Sequence, residues 1–378
     1  MILNMLSKRK LLFLSVYLLG MLLFPLSVKA QTDSFTIDLS IVGDCLLATE
    51  DGKDTSYSFS WYAKNKTPDY FLTNVSHIFQ NDDFTIANLE NVLTDRPLEK
   101  RDKGKGTAFW FKAPTSNTSI LNSGYIDVVS VANNHTYDYG EEGLVDTIKA
   151  LNKADIQWGS DDRTLYLEKN GYTIAFIPAS LYNSSQTKNI INRIKAASKK
   201  SDYQIVYFHG GQEGIYQPET WKINASHQLV DAGADLVIGN HPHRLQPFEI
   251  YKGVNILYSL GNFCFGGNNH MTSNRTIIYK TILKIEDSKL VQEETQLIPC
   301  YIQDDSKYQN NWQPDIIKNE EERKLVLDFL FGKVALPHKI TKKSKIVKKT
   351  NNVAKDNIKI DEEAGSIVKN FPSAAETK

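Results

Sequence analysis

Five apolar runs in this chain of 378 residues end in short clusters of Asp, Asn, Glu and His. The clusters that follow these runs are Asp44, Asn88–Glu90, Asn133–His135, His209–Gly211 and Asn240–His243. Carboxylate, amide and imidazole groups in one set are ligands typical of Mn, Fe or Zn rather than of Ca or Mg. His241 and His243 are two residues apart, so their side chains point the same way in an extended segment. The pattern predicts a metal-dependent, enzyme-like site.

The apolar runs that precede the clusters have the composition of buried strands. They are rich in β-branched residues and bounded by Gly, Asn and Pro, which is typical of strands buried on both faces. In open α/β sheets the functional crevice lies just outside the carboxyl ends of the strands. We therefore expect five strand ends to bring these ligands to one place. The alternative is that each polar residue caps a helix or bonds within its own loop.

Other segments predict helices, hairpins and one loop near the site. Apolar spacing predicts five helices: Asp69–Gln80, Gly143–Ala154, Asn189–Lys200, Thr220–Ala232 and Asn319–Phe331. Hairpin turns are expected at Lys169–Gly171, Lys252–Gly253 and Asp287–Ser288, after a first strand over Phe35–Asp44. The charged, Gly-rich stretch Asn91–Phe111 is expected to be a surface loop at the mouth of the site.

The first 30 residues predict an export signal. Lys8–Lys10 precedes the apolar stretch Leu11–Leu26, and Val28–Ala30 offers a small-x-small cleavage site. The alternative is an uncleaved membrane anchor, although a spanning helix needs about 20 apolar residues. Both interpretations predict a protein that is secreted or membrane-associated on the extracytoplasmic face. The formal net charge is zero, which gives no reason to expect a nucleic-acid partner.

The other end of the chain, residues 336–378, predicts a disordered tail. Lys339–Lys355 holds seven Lys and no acidic residue, and the residues after it are polar. Two interpretations are open: an electrostatic tether to an anionic surface, or a solubilising tail. The cysteines, Cys45, Cys264 and Cys300, are too few for a disulfide framework. We expect three buried thiols, with one disulfide and one free thiol as the alternative.

Seven motifs occur in order along the chain: Gly43–Leu47, Ala87–Glu90, Ala132–His135 with Asp138–Gly140, His209–Glu213, Asp231–Asp235, Gly239–His243 and Leu260–Phe263. As a set they resemble the motifs of the CapA family, the capsule proteins of poly-γ-glutamate synthesis. That family is similar in fold to the calcineurin-like metallophosphatases. The resemblance, which runs from about Phe35 to about Pro299, implies an α/β domain over residues 35–335. Its expected architecture is two packed β-sheets flanked by helices.

The resemblance also implies roles for particular residues. Six positions correspond to metal ligands: Asp44, Glu90, Asn134, His209, His241 and His243. His135 takes the place of the phosphatase histidine that acts on the leaving group, and Asp138 would orient or charge-pair it. The implied cofactor is one or two divalent transition metal ions, Mn, Fe or Zn.

Three departures from the phosphatase pattern affect the expected site. Asp44-Cys45-Leu46 lacks the His of the Asp-x-His motif, so one ligand of the first metal is missing or replaced. Glu90 stands where the phosphatases have the Asp that bridges two metals. His209-Gly210-Gly211 replaces the family's His-Trp-Gly, which removes an aromatic wall near the site.

Three classes of function fit this pattern. The chain could be a capsule-assembly factor whose metal site binds or cleaves the polymer, a phosphoesterase acting on an envelope ester, or a non-catalytic polymer-binding module. A catalytic site would use metal-activated water and electrostatic stabilisation of a charged transition state. The expected partners are an anionic capsule polymer and membrane-bound synthase subunits, with the membrane surface as a further candidate.

Overall fold

The computed structural model describes residues 33–104, 108–267, 273–303, 310–336 and 357–372. Those from Phe35 onward belong to one compact unit. The predicted signal peptide or anchor, residues 1–30, and the Lys-rich segment Lys339–Lys355 lie outside the described residues. Among the described residues, no helix has the length and apolarity needed to cross a membrane.

The described residues form eighteen β-strands and seven α-helices. The strands are β1 Ser34–Leu46, β2 Phe84–Leu89, β3 Val92–Leu93, β4 Lys112–Ala113, β5 Val128–Ser130, β6 Gln157–Gly159, β7 Leu165–Lys169, β8 Tyr172–Ser180, β9 Tyr203–His209, β10 Leu236–Asn240, β11 Phe248–Tyr251, β12 Val254–Leu257, β13 Asn262–Phe265, β14 Arg275–Glu286, β15 Lys289–Tyr301, β16 Asp315–Ile316, β17 Ile358–Asp361 and β18 Ser366–Asn370. The helices are α1 Phe59–Asn65, α2 Ser76–Phe79, α3 Thr118–Ser123, α4 Gly140–Lys153, α5 Thr187–Ala197, α6 Thr220–Asp231 and α7 Glu320–Leu330.

Two large sheets carry most of these strands. The first has the order β17-β18-β15-β14-β1-β2-β5-β6, with β13 paired to β1 and β16 to β15. Its half from β1 to β6 is parallel, and its half from β14 to β17 is antiparallel. The second has the order β11-β12-β10-β9-β8-β7, with a parallel centre and an antiparallel pair at each edge. The parallel strands of each sheet run in one direction, so their carboxyl ends lie along one edge of that sheet.

The layers follow from strands that are apolar on both faces. One face of β1, with Ile37, Leu39 and Ile41, joins Ile205 and Tyr207 of β9 in the core between the sheets. The opposite face of the first sheet packs against α2, α3 and α4, and the outer face of the second sheet packs against α5 and α6. This arrangement confirms the predicted architecture of two packed β-sheets flanked by helices.

The three predicted hairpins are present as tight two-residue turns. Lys169 pairs with Tyr172 across one of them, and the intervening Asn170 and Gly171 have φ of 50° and 79°. Left-handed φ at both turn positions is the geometry whose twist matches that of the strands. The turns at Lys252–Gly253 and Asp287–Ser288 have the same pair of positive φ values.

The predicted helix Asp69–Gln80 is wrong as a single element. The structure has a 3-10 turn at Pro68–Tyr70 and a short α2, separated by turns. Thr73 and Asn74 disfavour a continuous helix here, because Thr loses side-chain freedom in helices and Asn bonds to the backbone in turns. The apolar residues still pack inward, since Phe71, Leu72 and Val75 are buried.

The predicted disordered tail, 336–378, is wrong for Asn357–Pro372. Strands β17 and β18 form a hairpin, and β18 pairs antiparallel with β15. Two inward side chains hold it there: Ile367 is fully buried in the core between the sheets, and Lys369 forms an ion pair with Glu293. In β18 buried residues alternate with more exposed ones, so the hairpin has an inward face that a disordered tail lacks. The three cysteines are free and buried, as expected.

Candidate metal centre

The six predicted ligands come together at the carboxyl ends of strands from both sheets. Those of the first sheet are Asp44 near the end of β1, Glu90 directly after β2 and Asn134 in the turn after β5. Those of the second sheet are His209, the last residue of β9, with His241 and His243 directly after β10. Asp44, Glu90 and His209 are buried, whereas Asn134 lies at the exposed rim.

Two glycines let the backbone reach this arrangement. A Cβ at Gly43 would lie 1.9 Å from the carbonyl oxygen of Gly261, so only glycine fits beside the turn that leads into β13. At Gly239 a Cβ would lie 2.3 Å from the Tyr258 carbonyl oxygen. The residues after Gly239 turn sharply, because His241 and His243 have φ of 94° and 52°. Left-handed backbone at two non-glycine residues is strained, and such strain is concentrated at functional sites.

Glu90 lies at the middle of the cluster and is its least satisfied group. Its side chain is fully buried, yet neither carboxylate oxygen has a hydrogen-bond partner among the described residues. Three imidazole Nε2 atoms surround Oε1, at 3.4 Å from His209, 3.8 Å from His243 and 4.0 Å from His135. Buried polar atoms without partners are rare in folded proteins. This carboxylate and its ring of nitrogens fit a bound cation.

The ligand atoms fall into two sets that share Glu90. The sets are Asp44, Glu90 and His243, and Glu90, His209 and His241, each with its atoms within 4.8 Å of one another. The Asn134 Oδ1 atom lies 2.8 Å from His209 Nε2, which adds a fourth oxygen or nitrogen donor to the second set. Two sets with one common carboxylate can accommodate one or two divalent ions.

Hydrogen bonds from neighbouring side chains orient these ligands. Asn88 donates through Nδ2 to the Asp44 carboxylate at 2.8 Å and lies 3.1 Å from His209 Nδ1. Asn262 places its Oδ1 atom 2.8 Å from Nδ1 of His243, which leaves Nε2 directed to Glu90. Such outer partners fix the ring orientation and proton position of metal-binding histidines.

The electrostatics of the cluster match a divalent cation. Burial acts to raise the pKa of Asp44, but the hydrogen bonds and charges of His209 and His243 hold it far below its usual range. Burial opposes the protonation of those two imidazoles, but the charges of Glu90 and Asp44 raise the pKa to about 9 for His209 and about 10 for His243. Burial and the two neighbouring imidazolium charges lower the pKa of His241 to about 2. Two imidazolium charges thus face two carboxylates, and one divalent ion would carry the same charge.

His135 and Asp138 are adjacent to the ligands and to each other. His135 Nδ1 lies 2.8 Å from Asp138 Oδ2, which also accepts a hydrogen bond of 2.7 Å from the backbone N–H of Phe111. Lys103 completes the group, with its Nζ atom 2.5 Å from the other Asp138 oxygen. Lys103 lies in the charged stretch Asn91–Phe111, which was predicted as a surface loop but begins with the buried strand β3.

The structure accounts for two of the departures from the phosphatase pattern. Leu46, where that pattern has His, packs between the first sheet and the helices, so the first set has only three ligands. A Cβ at Gly210 would lie 1.8 Å from the Leu181 carbonyl oxygen, so a Trp does not fit here. The aromatic wall is present nonetheless, because the ring of Tyr182 meets that of His241 edge-on at 5.3 Å.

Five residues of the site were not predicted from the sequence. They are Asn88, Lys103, Tyr182, Glu213 and Asn262. Asn88, Glu213 and Asn262 lie inside the motifs quoted above, so their proximity to the ligands is a signal that the sequence contains. Lys103 and Tyr182 lie in loops whose contacts depend on tertiary packing, and no local pattern indicates them.

Residues 38–267 match the sequence profile of the family described as bacterial capsule synthesis protein PGA_cap. The chain belongs to this family. One PGA_cap relative, the PGA biosynthesis protein CapA of Bacillus subtilis (strain 168), is 30% identical over 260 residues, covering 63% of this chain and 65% of that protein. The capsule biosynthesis protein CapA of Bacillus anthracis is 31% identical over 225 residues, covering 52% and 54%.

A third relative is named a probable polyglutamine synthesis accessory protein, from Mycobacterium tuberculosis (strain ATCC 25618 / H37Rv). It is 26% identical over 258 residues, covering 58% of this chain and 66% of that protein. The chain thus spans about half to two thirds of the length of these PGA_cap relatives. Among solved structures, a hypothetical protein from Thermus thermophilus has a TM-score of 0.42 and 15% identity, over 70% of this chain and 99% of that one.

Proposed function

We propose that this protein acts outside the cell membrane in the synthesis, export or anchoring of an anionic capsule polymer such as poly-γ-glutamate, and that it does so with a metal-binding site. The PGA_cap family and the names of the relatives support the polymer. Lys8–Ala30, with its basic, apolar and small-residue parts, supports the location. The observation that carries the metal site is Glu90, a buried carboxylate with no hydrogen bond and three imidazole nitrogens around it.

The chain's own residues divide the work of this site. Asp44 and Glu90 supply the negative charge, and His209, His241, His243 and Asn134 supply neutral donors. A bound Mn, Fe or Zn ion would supply positive charge that attracts an anionic group or lowers the pKa of a bound water. Asn88 and Asn262 hold Asp44 and His243 in place by the hydrogen bonds described above. The partners that we propose are the polymer, membrane-bound synthase subunits and the membrane surface.

Elemental analysis tests the metal site. Protein purified without chelator should carry transition metal, and His241→Ala combined with His243→Ala should remove most of it. The matched control is His77→Ala, because His77 is an exposed histidine on α2 and outside the cluster. Wild-type protein that holds no metal, and takes up none on addition of Mn²⁺ or Zn²⁺, would contradict the proposal.

A metal-dependent hydrolase is the second candidate, and His135 is the observation that favours it. Its Nδ1 atom lies 2.8 Å from Asp138 and its Nε2 atom 4.0 Å from Glu90, so one ring links a carboxylate to the proposed metal position. A group so placed can hold or transfer a proton at the leaving group, and such groups contribute about 10²- to 10⁴-fold in rate. His135→Ala should therefore leave metal content intact and slow hydrolysis of an activated phosphodiester by that factor. Metal-loaded wild-type protein that is inert on phosphate esters would favour a role in assembly or polymer binding.

A further inference from the structure

The imidazoles at this site share one arrangement, in which one ring nitrogen faces the centre and the other faces an oxygen. His243 directs Nε2 toward Glu90 and Nδ1 toward Asn262. His135 likewise directs Nε2 toward Glu90 and Nδ1 toward Asp138. His241 is turned the other way: its Nδ1 lies 3.0 Å from His209 Nε2, inside the cluster, so Nε2 is its outward nitrogen.

The oxygen that faces the outward nitrogen of His241 belongs to Glu213. Its Oε1 atom lies 3.9 Å from His241 Nε2, at the exposed rim of the site. Glu213, His241 and His243 also place one ligand-type atom each within 4.8 Å of one another. Glu213 is therefore the rim carboxylate that lies against both histidines of the His-Pro-His segment.

The backbone around Glu213 is held to that same segment. The N–H of Gly214 donates to the carbonyl oxygen of Pro242, the residue between the two histidines, at 2.8 Å. A second brace runs through Gln246, which donates through Nε2 to the Ile215 carbonyl at 3.1 Å. Its Oε1 atom accepts from Lys222 Nζ at 3.0 Å, and the same Lys222 amine donates to the Gly210 carbonyl at 3.1 Å. These bonds fix the position of the Glu213 backbone although 58% of its side chain is exposed.

We propose that Glu213 is a positioning residue of the metal centre, accepting a hydrogen bond from His241 Nε2 so that Nδ1 is presented to the ion. This inference rests on the proposed function, since it assumes that the cluster binds metal. A carboxylate on the outward nitrogen fixes the tautomer and makes the inward nitrogen a better donor. The backbone of His241, like that of His243, is held in the left-handed region. Glu213 would serve His241 as Asn262 serves His243.

The test is a Mn²⁺ titration of the metal-stripped full chain, with the dissociation constant as the readout. Glu213→Ala should weaken Mn²⁺ binding by about 10- to 100-fold, the usual cost of losing an outer partner of a ligand. Glu213→Gln keeps an oxygen acceptor without the charge, so its affinity should fall between those of Glu213→Ala and wild type. Gln212→Ala, the adjacent exposed residue, and Glu168→Gln, an exposed acid on β7, should bind Mn²⁺ as wild type does.

The melting temperature of the metal-free protein separates positioning from folding. It should be the same in Glu213→Ala and wild type, because the lost side chain is exposed. Equal Mn²⁺ affinity in Glu213→Ala and wild type would overturn this inference and leave the metal site in place. A lower melting temperature of the metal-free variant would overturn it also, because the loss would then be structural. Wild-type protein that binds no Mn²⁺ or Zn²⁺ would instead refute the proposed function.

Discussion

Two buried glutamates, one at the proposed metal centre and one under the C-terminal hairpin, are treated in opposite ways by this fold. Glu293 is 2% exposed and is fully paired: Lys369 Nζ lies 3.0 Å away, Asn255 Nδ2 3.1 Å and the Tyr203 hydroxyl 3.4 Å. Glu90 is as deeply buried, and among the described residues neither of its oxygens has a hydrogen-bond partner of good geometry. Its neighbours are imidazoles at the edge of hydrogen-bond distance.

The difference distinguishes a buried charge that belongs to the fold, Glu293, from a buried charge that is placed to bind a cation, Glu90. A buried ion costs several kcal/mol unless partners surround it, and around Glu293 the chain supplies all of those partners itself. Around Glu90 the chain supplies imidazole nitrogens that are also ligand atoms, so a divalent ion can take the place of their positive charge. Burial alone therefore does not distinguish a site from a core, whereas the state of the carboxylate's hydrogen bonds does.

Loss of the ion pair between Glu293 and Lys369 should have the largest effect on stability. Lys369→Met leaves Glu293 buried without its cation, so we expect the free energy of unfolding to fall by about 3–5 kcal/mol in urea denaturation. Lys359→Met removes the same charge from an exposed position on β17 and should change it by less than about 0.5 kcal/mol. A small effect of Lys369→Met would mean that Asn255 and Tyr203 suffice. Removal of all residues after Leu336 should destabilise the fold at least as much.

Binding of metal at Glu90 should have the next largest effect on stability. Metal at one hundred times its dissociation constant should stabilise wild-type protein by about 2.7 kcal/mol, because the ion binds the folded state alone. Glu90→Gln keeps the size of the side chain but removes the shared charge, so its melting temperature should not respond to Mn²⁺ or to chelator. The Lys369→Met protein, in contrast, should keep its response to metal. Equal metal responses of Glu90→Gln and wild type would contradict the assignment of Glu90 as the shared ligand.

The pH dependence of metal binding tests the same comparison, and its sign follows from the raised pKa values of His209 and His243. His209 and His243 have pKa values raised to about 9 and about 10, so below pH 9 both are protonated in the metal-free site. The ion must displace those protons, so its affinity should increase with pH up to about 9, by up to about tenfold per pH unit for each proton released. Calorimetry in two buffers of different ionisation enthalpy measures the proton count. An affinity independent of pH between 6 and 9 would contradict the exchange of protons for metal.

The sequence was sufficient wherever local composition decides the structure. The ends of β1, β2, β5, β9 and β10 were recognisable because apolar runs stop abruptly at Asp, Asn or His, and the hairpin turns because glycine or another residue tolerant of positive φ stands at each turn. The prediction of a single helix over Asp69–Gln80 was wrong because turn-forming residues interrupt the segment. The C-terminal hairpin was missed for a different reason: its partner strand, β15, lies about seventy residues earlier, so neither segment alone shows the pairing.

For the site, the sequence indicated which residues are candidate metal ligands but not which ligand set each one belongs to. That Glu90 belongs to two ligand sets, and that Leu46 leaves one of them with three ligands, depends on distances between strands of different sheets. The roles of the six ligands, of His135 and of Asp138 stay predictions until metal and activity are measured.

The hairpin of β17 and β18 determines when the first sheet can be completed, because its partner strand β15 is made earlier. The strand that covers the middle of β15 is made about seventy residues after it, and Lys369 reaches Glu293 only once that later segment has left the ribosome. Until then β15 has an open edge, and open edges pair readily with other chains. We expect nascent chains that end before Ser366 to aggregate through β15. A chaperone that masks this edge during synthesis would therefore raise the yield of folded protein.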